Sequence, residues 1–478
     1  MFVGREGYLQ QLAALWRKPI ASLVSCRGRR RIGKSTLIEE FARRSGAKLL
    51  KFEGLAPEPR MTNADQLGEF ARQLSRLAKV RVPVPSSWGD AFAALDAVIG
   101  DGKTVLLLDE ISWMGKYDPG FPGALKIAWD NLFKKHPRLI VFLCGSVSTW
   151  ISKNILNNTG FVGRASLNLT VRELPLDACV RFWGRRASRV STVDLLDILS
   201  VTGGVPRYLE EVDPALSANE NIRRMCFQPN TLMRDDFRKI FNIVFGDNAV
   251  AKCRILGLLA SGPLTLSEIC RGLGVERNGS VGGHLDDLTV AGFVAKDVGI
   301  NPATGRDLKI CKYRLCDNYT RFFLKYVDPA SRMIDAGSFR FNSLEALPGW
   351  DAMLGLQFEN LVIGNLPALL PRLGLENVLL KSAAPYRQAA GTRRAGCQID
   401  LLLQADRLIY VVEIKRRREI GVEIEDEVSR KVSALAAPRS MTVRTALVYA
   451  GRLSPQVAAR GYFDALVSAD ELLGREAT

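Results

Sequence analysis

The segment GRRRIGKS, Gly28 to Ser35, fits G-x-x-x-x-G-K-[ST] and constrains the fold of this chain more than any other feature. It follows the apolar run Ala21–Cys26 (ASLVSC) and opens Lys34–Ser45, which reads as a helix. The pattern has meaning only in that strand-to-helix context. There the glycines let the backbone turn tightly, so that its N–H groups point at phosphate oxygens. The expected cradle is Gly28, Arg29, Arg30, Arg31, Ile32, Gly33, Lys34, Ser35 and Thr36. Lys34 would neutralise the outer phosphates, and the Ser35 hydroxyl would ligate Mg²⁺.

A second motif completes this reading. Val105 to Glu110 (VLLLDE) ends an apolar strand in two carboxylates, 109 − 34 = 75 residues after Lys34. Asp109 would hold the Mg²⁺ shell, and Glu110 would orient and deprotonate an attacking water. The competing reading, an Asp-Glu pair capping the next helix, loses weight with GRRRIGKS upstream. ATP with Mg²⁺ is therefore the expected ligand. The strand Leu139–Cys144 runs on to Ser146, a polar residue placed to contact the γ-phosphate or the lytic water. Arg164 in FVGRAS and Arg207 in GGVPRYL are the arginines expected to sense the γ-phosphate, in cis or in trans.

Apolar strands at Ala21–Cys26, Lys48–Phe52, Thr104–Asp109 and Leu139–Cys144, separated by helices, predict a parallel sheet covered on both faces. The fold class is α/β, and residues 170–245 read as a mostly helical extension. Ala249–Ala260, Thr265–Leu273 and Ser280–Ala291 read as three helices. Strand-like Gly292–Val298 and Lys309–Leu315 follow, making a winged helix. Its third helix carries Asp286 and Asp287 and no Lys or Arg, which favours a packing role over groove reading. Arg277, Asn278, Lys309, Lys312 and Arg314 flank it. Residues 327–349 read as a linker. The expected domains are 1–245, 246–339 and 340–478.

In order along the chain, FVGRE, GRRRIGKST, LLDE, CGS, GRAS and GGVPRYL resemble the archaeal-type P-loop ATPases, close to the AAA+ and STAND groups. That resemblance implies a winged helix and a C-terminal nuclease-like domain of the PD-(D/E)XK kind. It places the FVGRE segment near the adenine by analogy.

Residues 398–415, QIDLLLQADRLIYVVEIK, supply the matching constellation. Asp400 lies on one strand, and Glu413 and Lys415 lie two apart on the next, facing one side. A hairpin brings Asp400 beside Glu413. Two carboxylates and a lysine can hold a divalent ion and stabilise a hydroxide that attacks phosphate. The spacing resembles PD-(D/E)XK nucleases, which implies Glu359 on the preceding helix as a further ligand. The expected metal is Mg²⁺ or Mn²⁺, and the catalytic set is Asp400, Glu413 and Lys415, beside Glu110 in the ATPase half. The competing reading makes Glu413 and Lys415 a structural ion pair, and the whole chain a nucleotide-controlled switch whose nuclease-like domain only binds.

Charge suggests the partner. Residues 1–245 hold 36 Lys+Arg against 24 Asp+Glu, so 12 of the net charge of +16 lies there. A basic surplus suits a nucleic acid, here DNA, or simple solubility. Arg416, Arg417 and Arg418 add a local basic cluster. Nine scattered cysteines without a Cys/His cluster, and only His136 and His284, argue against zinc and for a reducing compartment. No run approaches a membrane span, and MFVGREGYLQQL lacks the apolar core of a signal peptide. A cytoplasmic protein with possible self-association is the expectation.

Overall fold

The computed structural model describes residues 2–475, except 147, 278, 391–394 and 436, and omits the side chains of 148, 235, 236, 247 and 309. Asn278 and the Lys309 side chain thus lie outside the described residues. The chain divides into two compact units, Met1–Glu173 and Leu174–Thr478.

The first unit is built on β1 (Ser22–Arg27), β2 (Lys48–Glu53), β3 (Thr104–Asp109), β4 (Leu139–Gly145) and β5 (Ala165–Thr170). Their order in the sheet is β2-β3-β4-β1-β5, and every pairing is parallel. β3 and β4 are buried along their whole length, as continuous apolar strands covered on both faces require. Phe52, Phe70, Trp88, Phe92, Phe121 and Phe133 form a chain of stacked and edge-on rings in the core. Each such ring pair contributes about 0.5–1.5 kcal/mol beyond its burial.

Helix α1 (Lys34–Ser45) springs directly from the loop after β1. It ends where Gly46 takes a left-handed conformation (φ +62°). The strand β5 was passed over in the sequence although its residues alternate polar and apolar, the pattern of a half-buried strand. Its polar positions are used: Ser25 Oγ donates to Asn168 Oδ1 (2.7 Å), and Arg27 Nε donates to Thr170 Oγ1 (3.0 Å).

The second unit holds α2 (Thr192–Thr202), then α3 (Ala249–Leu259), α4 (Leu266–Leu273) and α5 (Gly279–Val290). The antiparallel hairpin β6 (Val294–Ile300) and β7 (Asp307–Leu315) follows. The stretch expected to be a linker contains a helix, Asp328–Asp335, started by Pro329 in its first turn. Helix α6 (Trp350–Gly364) stops at Asn365, and a separate short helix with Pro367 in its first turn follows.

A second sheet closes this unit. It comprises β8 (Ser382–Gln388), β9 (Cys397–Gln404), β10 (Leu408–Ile420), β11 (Thr442–Leu453) and β12 (Ala465–Ser468), in the order β12-β11-β10-β9-β8. β8, β9 and β10 pair antiparallel, while β10, β11 and β12 pair parallel. Helix α7 (Glu423–Ala434) joins β10 to β11 and packs on β10 with Ile424 and Val428 buried. Helix α6 also packs against β10.

The expected boundaries at 245 and 339 both fall inside the second unit, which a buried polar network ties together. Gln357 of α6 donates to the Ser200 carbonyl of α2 (2.9 Å) and to the Asn318 carbonyl (2.7 Å). The buried Arg321 guanidinium donates to Gln357 Oε1 (2.7 Å). No single described helix is long and apolar enough to cross a membrane. The bent pair Trp350–Gly364 and Leu366–Leu373, at 76°, passes on length and composition together.

Candidate functional site

The loop after β1 has the backbone of an anion cradle. Gly28 (φ +150°), Arg31 (φ +68°) and Gly33 (φ +84°) all lie at positive φ. Glycine is required at the first position for a second reason: a Cβ there would sit 2.4 Å from the Val171 carbonyl oxygen. Gly28→Ala is therefore expected to cost at least about 2 kcal/mol and to deform the loop. Thermal melting together with nucleotide titration checks this, and unchanged values in both would refute it.

The functional side chains converge here. The buried Lys34 ammonium donates to the carbonyls of Gly28 and Arg29, each at 3.0 Å. Ser35 Oγ donates to Asp109 Oδ2 at 2.5 Å, which joins the start of α1 to the end of β3. Glu110 sits in a left-handed conformation (φ +47°), a strained state for a non-glycine residue. Its carboxylate accepts from Ser146 N (3.1 Å) and Ser146 Oγ (2.9 Å). Ser146, placed by sequence at the γ-phosphate, is thus also the residue that aims Glu110. Glu53, level with Asp109 on the neighbouring strand, has its pKa raised, first by burial and then by the Asp109 charge.

The remaining cradle residues spread around the loop. Arg29 pairs with Glu173 (3.3 Å), Arg30 lies over the Trp113 ring (5.5 Å), and Thr36 is exposed. The buried Ile32 presents its carbonyl to Arg5, whose Nη2 donates to it at 2.9 Å. Arg5 Nη1 also donates to the Arg172 carbonyl (2.6 Å). The Arg of FVGRE therefore braces the loop from behind, a role invisible in the sequence because its partners lie 27 and 167 positions away.

Arg164 stands apart from this cluster within the first unit. Arg164 makes a two-pronged pair with Asp130 (2.8 and 2.9 Å). It precedes Ala165, which is level with Leu23 at the start of β1, whereas the cradle follows the end of β1. Roughly 15 Å of strand separates the two positions. Arg207 belongs to the second unit and pairs with Glu210 (3.1 Å) and Glu211 (2.9 Å).

In the second unit β9 and β10 bring Asp400, Glu413 and Lys415 together. Asp400 Oδ2 accepts from Ile414 N (3.0 Å). Lys415 Nζ lies 2.7 Å from Glu413 Oε1 and 2.9 Å from Glu427 Oε1. Lys431 Nζ donates to both Glu413 oxygens (2.6 and 2.7 Å). Burial and the Asp400 charge push the Glu413 carboxyl up to about 7, against the pull of the two lysines. Burial raises Asp400, with Glu359 adding to it. Burial also raises Glu359, opposed by Arg314 and Arg321.

Glu427 and Lys431 of α7 were not singled out in the sequence. Their i, i+4 spacing reads as an ordinary solvated helix pair. Within the expected Glu359–Asp400–Glu413 set, the Asp400 charge acts on Glu413 and the Glu359 charge on Asp400. Among the described residues, no three Asp, Glu, His or Cys side chains converge to hold a metal ion. Glu413 is taken by two lysines. Of the basic run within β10, Arg416 turns inward onto Asp197, and Arg417 lies 3.9 Å from Glu427.

The basic residues around the hairpin are likewise engaged internally. Arg314 pairs with Asp297 (2.8 Å), and Lys312 donates to the Pro263 carbonyl (3.3 Å). Asp287 pairs with the buried Lys252 (2.9 Å).

No family model matches the chain. It is 23% identical over 360 residues to an uncharacterized protein of Methanocaldococcus jannaschii, covering 75% of this chain and 76% of that one. Among solved structures it is similar to a Walker-type ATPase of Pyrococcus abyssi, with a TM-score of 0.47 and 16% identity over 67% of this chain and 95% of that one. It is also similar to the ORC2 protein of Aeropyrum pernix, with a TM-score of 0.40 and 14% identity over 70% and 94% of the two chains. A third is the RuvB Holliday junction branch migration motor of Thermotoga maritima, with a TM-score of 0.33 and 17% identity over 62% and 90%.

Proposed function

We propose that this chain is an Mg²⁺-dependent P-loop ATPase acting as a nucleotide-controlled switch. The observation that carries the reading is the joined set Lys34, Ser35–Asp109 and Ser146–Glu110 around one positive-φ loop. Its donors suit the ligand. Backbone N–H groups and an ammonium match a triphosphate. One hydroxyl and one carboxylate match Mg²⁺, which keeps several waters and takes its remaining oxygens from phosphate. With that ion bound, charge on the leaving phosphates is neutralised. Lys34 binds and orients the phosphates, and Glu110, aimed by Ser146, takes the proton of an attacking water. ATP turnover that requires Mg²⁺ and stops in EDTA is the expected result, and turnover absent under all metal conditions would reject it.

We read residues 174–245 as the helical lid of this domain, so that it spans 1–245. Residues 246–339 are a winged helix used for packing, and 340–478 a PD-(D/E)XK-like, or restriction-endonuclease-like, domain. Internal pairing of Lys312, Arg314 and Asp287 supports packing over groove reading. DNA is the proposed partner of the C-terminal sheet, and the cytoplasm the proposed location. Cleavage by Asp400, Glu413 and Lys415 has less support than binding, because Lys415 and Lys431 already neutralise Glu413. A nicking assay with Mg²⁺ or Mn²⁺, comparing wild type with Asp400→Ala and Lys415→Ala, decides between cleaving and binding only.

Arg164 sits at the opposite end of the paired β1 and β5 from the cradle, so any action on phosphate comes in trans, through self-association. Arg164→Ala is expected to leave turnover unchanged at protein dilutions where the chain is monomeric. A drop of about tenfold or more there would place Arg164 in cis.

A further inference from the structure

The carboxylate–lysine cluster of the second sheet carries its own counter-charge. Glu413 is completely buried, and an unpaired carboxylate in that position is strongly disfavoured. In metal-dependent sites of this general chemistry a divalent cation neutralises such a carboxylate. Here Lys431 does so with one ammonium on both oxygens (2.6 and 2.7 Å), and Lys415 adds a second at 2.7 Å.

The surroundings lock this arrangement. Lys415 and Lys431 also reach Glu427 Oε1, at 2.9 and 3.5 Å. Glu413 and Glu427 with the two ammonium groups thus form an ion-pair cluster bridging β10 and α7. Both lysines are largely buried, 18% and 17% exposed, so neither is free to swing into solvent at small cost. A divalent ion entering at Glu413 would have to evict the bidentate ammonium and then sit beside it, like charge against like charge. Asp400 has one oxygen committed to the Ile414 N–H, and among the described residues no three Asp, Glu, His or Cys side chains converge to hold a metal ion.

We propose that Lys431 stands permanently where a nuclease of this fold would hold its metal, so that the C-terminal sheet is a metal-independent module. This rests on reading that sheet as PD-(D/E)XK-like and is independent of ATP hydrolysis in the first unit. The role of Lys431 is one of positioning: its ammonium fixes Glu413 and ties α7 to the sheet.

The test uses the full chain without nucleotide, carrying Asp109→Asn to remove metal binding by the first unit. Free Mn²⁺ is followed by electron paramagnetic resonance during titration at pH 8. Expected is no saturable Mn²⁺ binding that Asp400→Asn or Glu413→Gln removes. In parallel, Lys431→Gln should lower the melting temperature by roughly 5 °C, and Lys431→Arg should restore most of it. Saturable Mn²⁺ binding abolished by Asp400→Asn would overturn the proposal, as would unaltered melting of Lys431→Gln. Absence of ATP turnover in the wild-type chain would count against the ATPase reading alone, because these readouts report on the second unit.

Discussion

Glu110→Gln should lower the rate of ATP hydrolysis by about 10³-fold while leaving ATP binding close to wild type. The two halves of that result have separate causes. Gln keeps the size of the side chain and can still bond Ser146, whose N and Oγ now donate to the carboxylate at 3.1 and 2.9 Å. What it lacks is a base. Binding depends on the loop, Lys34 and the Ser35–Asp109 pair, none of which the substitution touches. Single-turnover hydrolysis with equilibrium binding of the same nucleotide separates the two terms. Equal loss in both would assign Glu110 a structural role, capping the short helix Ile111–Met114 from its left-handed position.

Lys34→Ala should produce the opposite signature, an affinity for ATP lowered by about 10- to 100-fold, with turnover lost as a consequence. The Lys34 ammonium is buried and held by two loop carbonyls at 3.0 Å, so it is already positioned beside the cradle. A charge-assisted bond of this kind is worth about 1.5–3 kcal/mol, and each 1.4 kcal/mol is tenfold in affinity. AMP, which lacks the outer phosphates, should bind the variant and the wild type equally. Isothermal titration with ATP and AMP checks both statements. An equal loss for the two ligands would mean the loop itself had collapsed.

The Gly28–Ser35 loop and the strand ends beside it were legible because their geometry is local. Gly28 to Ser35 must be contiguous to wrap a phosphate, and Val105 to Glu110 must end a buried strand to face it. The strands Thr104–Asp109 and Leu139–Gly145 announce themselves as unbroken apolar runs. Features set by distant partners were not legible. The bonds from Ser25 and Arg27 to side chains of the strand Ala165–Thr170 are of this kind. Arg5 becomes a brace of the cradle only once Ile32 and Arg172 are folded beside it.

The C-terminal constellation divides in the same way. The period of two along β10 placed Glu413 and Lys415 on one face, and the hairpin brought Asp400 beside them. The period carried no information about α7, whose Lys431 takes the carboxylate that the pattern assigned to a metal. The run to Arg418 looked like an exposed basic cluster, yet Arg416 is spent on Asp197. Pairing of that kind depends on which helix folds over the strand end.

The most direct test is a crystal structure of the Glu110→Gln chain with ATP and Mg²⁺. Expected is Lys34 released from the Gly28 and Arg29 carbonyls and lying on the outer phosphates, with Ser35 Oγ on the metal and Asp109 behind it. A triphosphate bound elsewhere, with Lys34 still on those two carbonyls, would contradict the assignment of this loop.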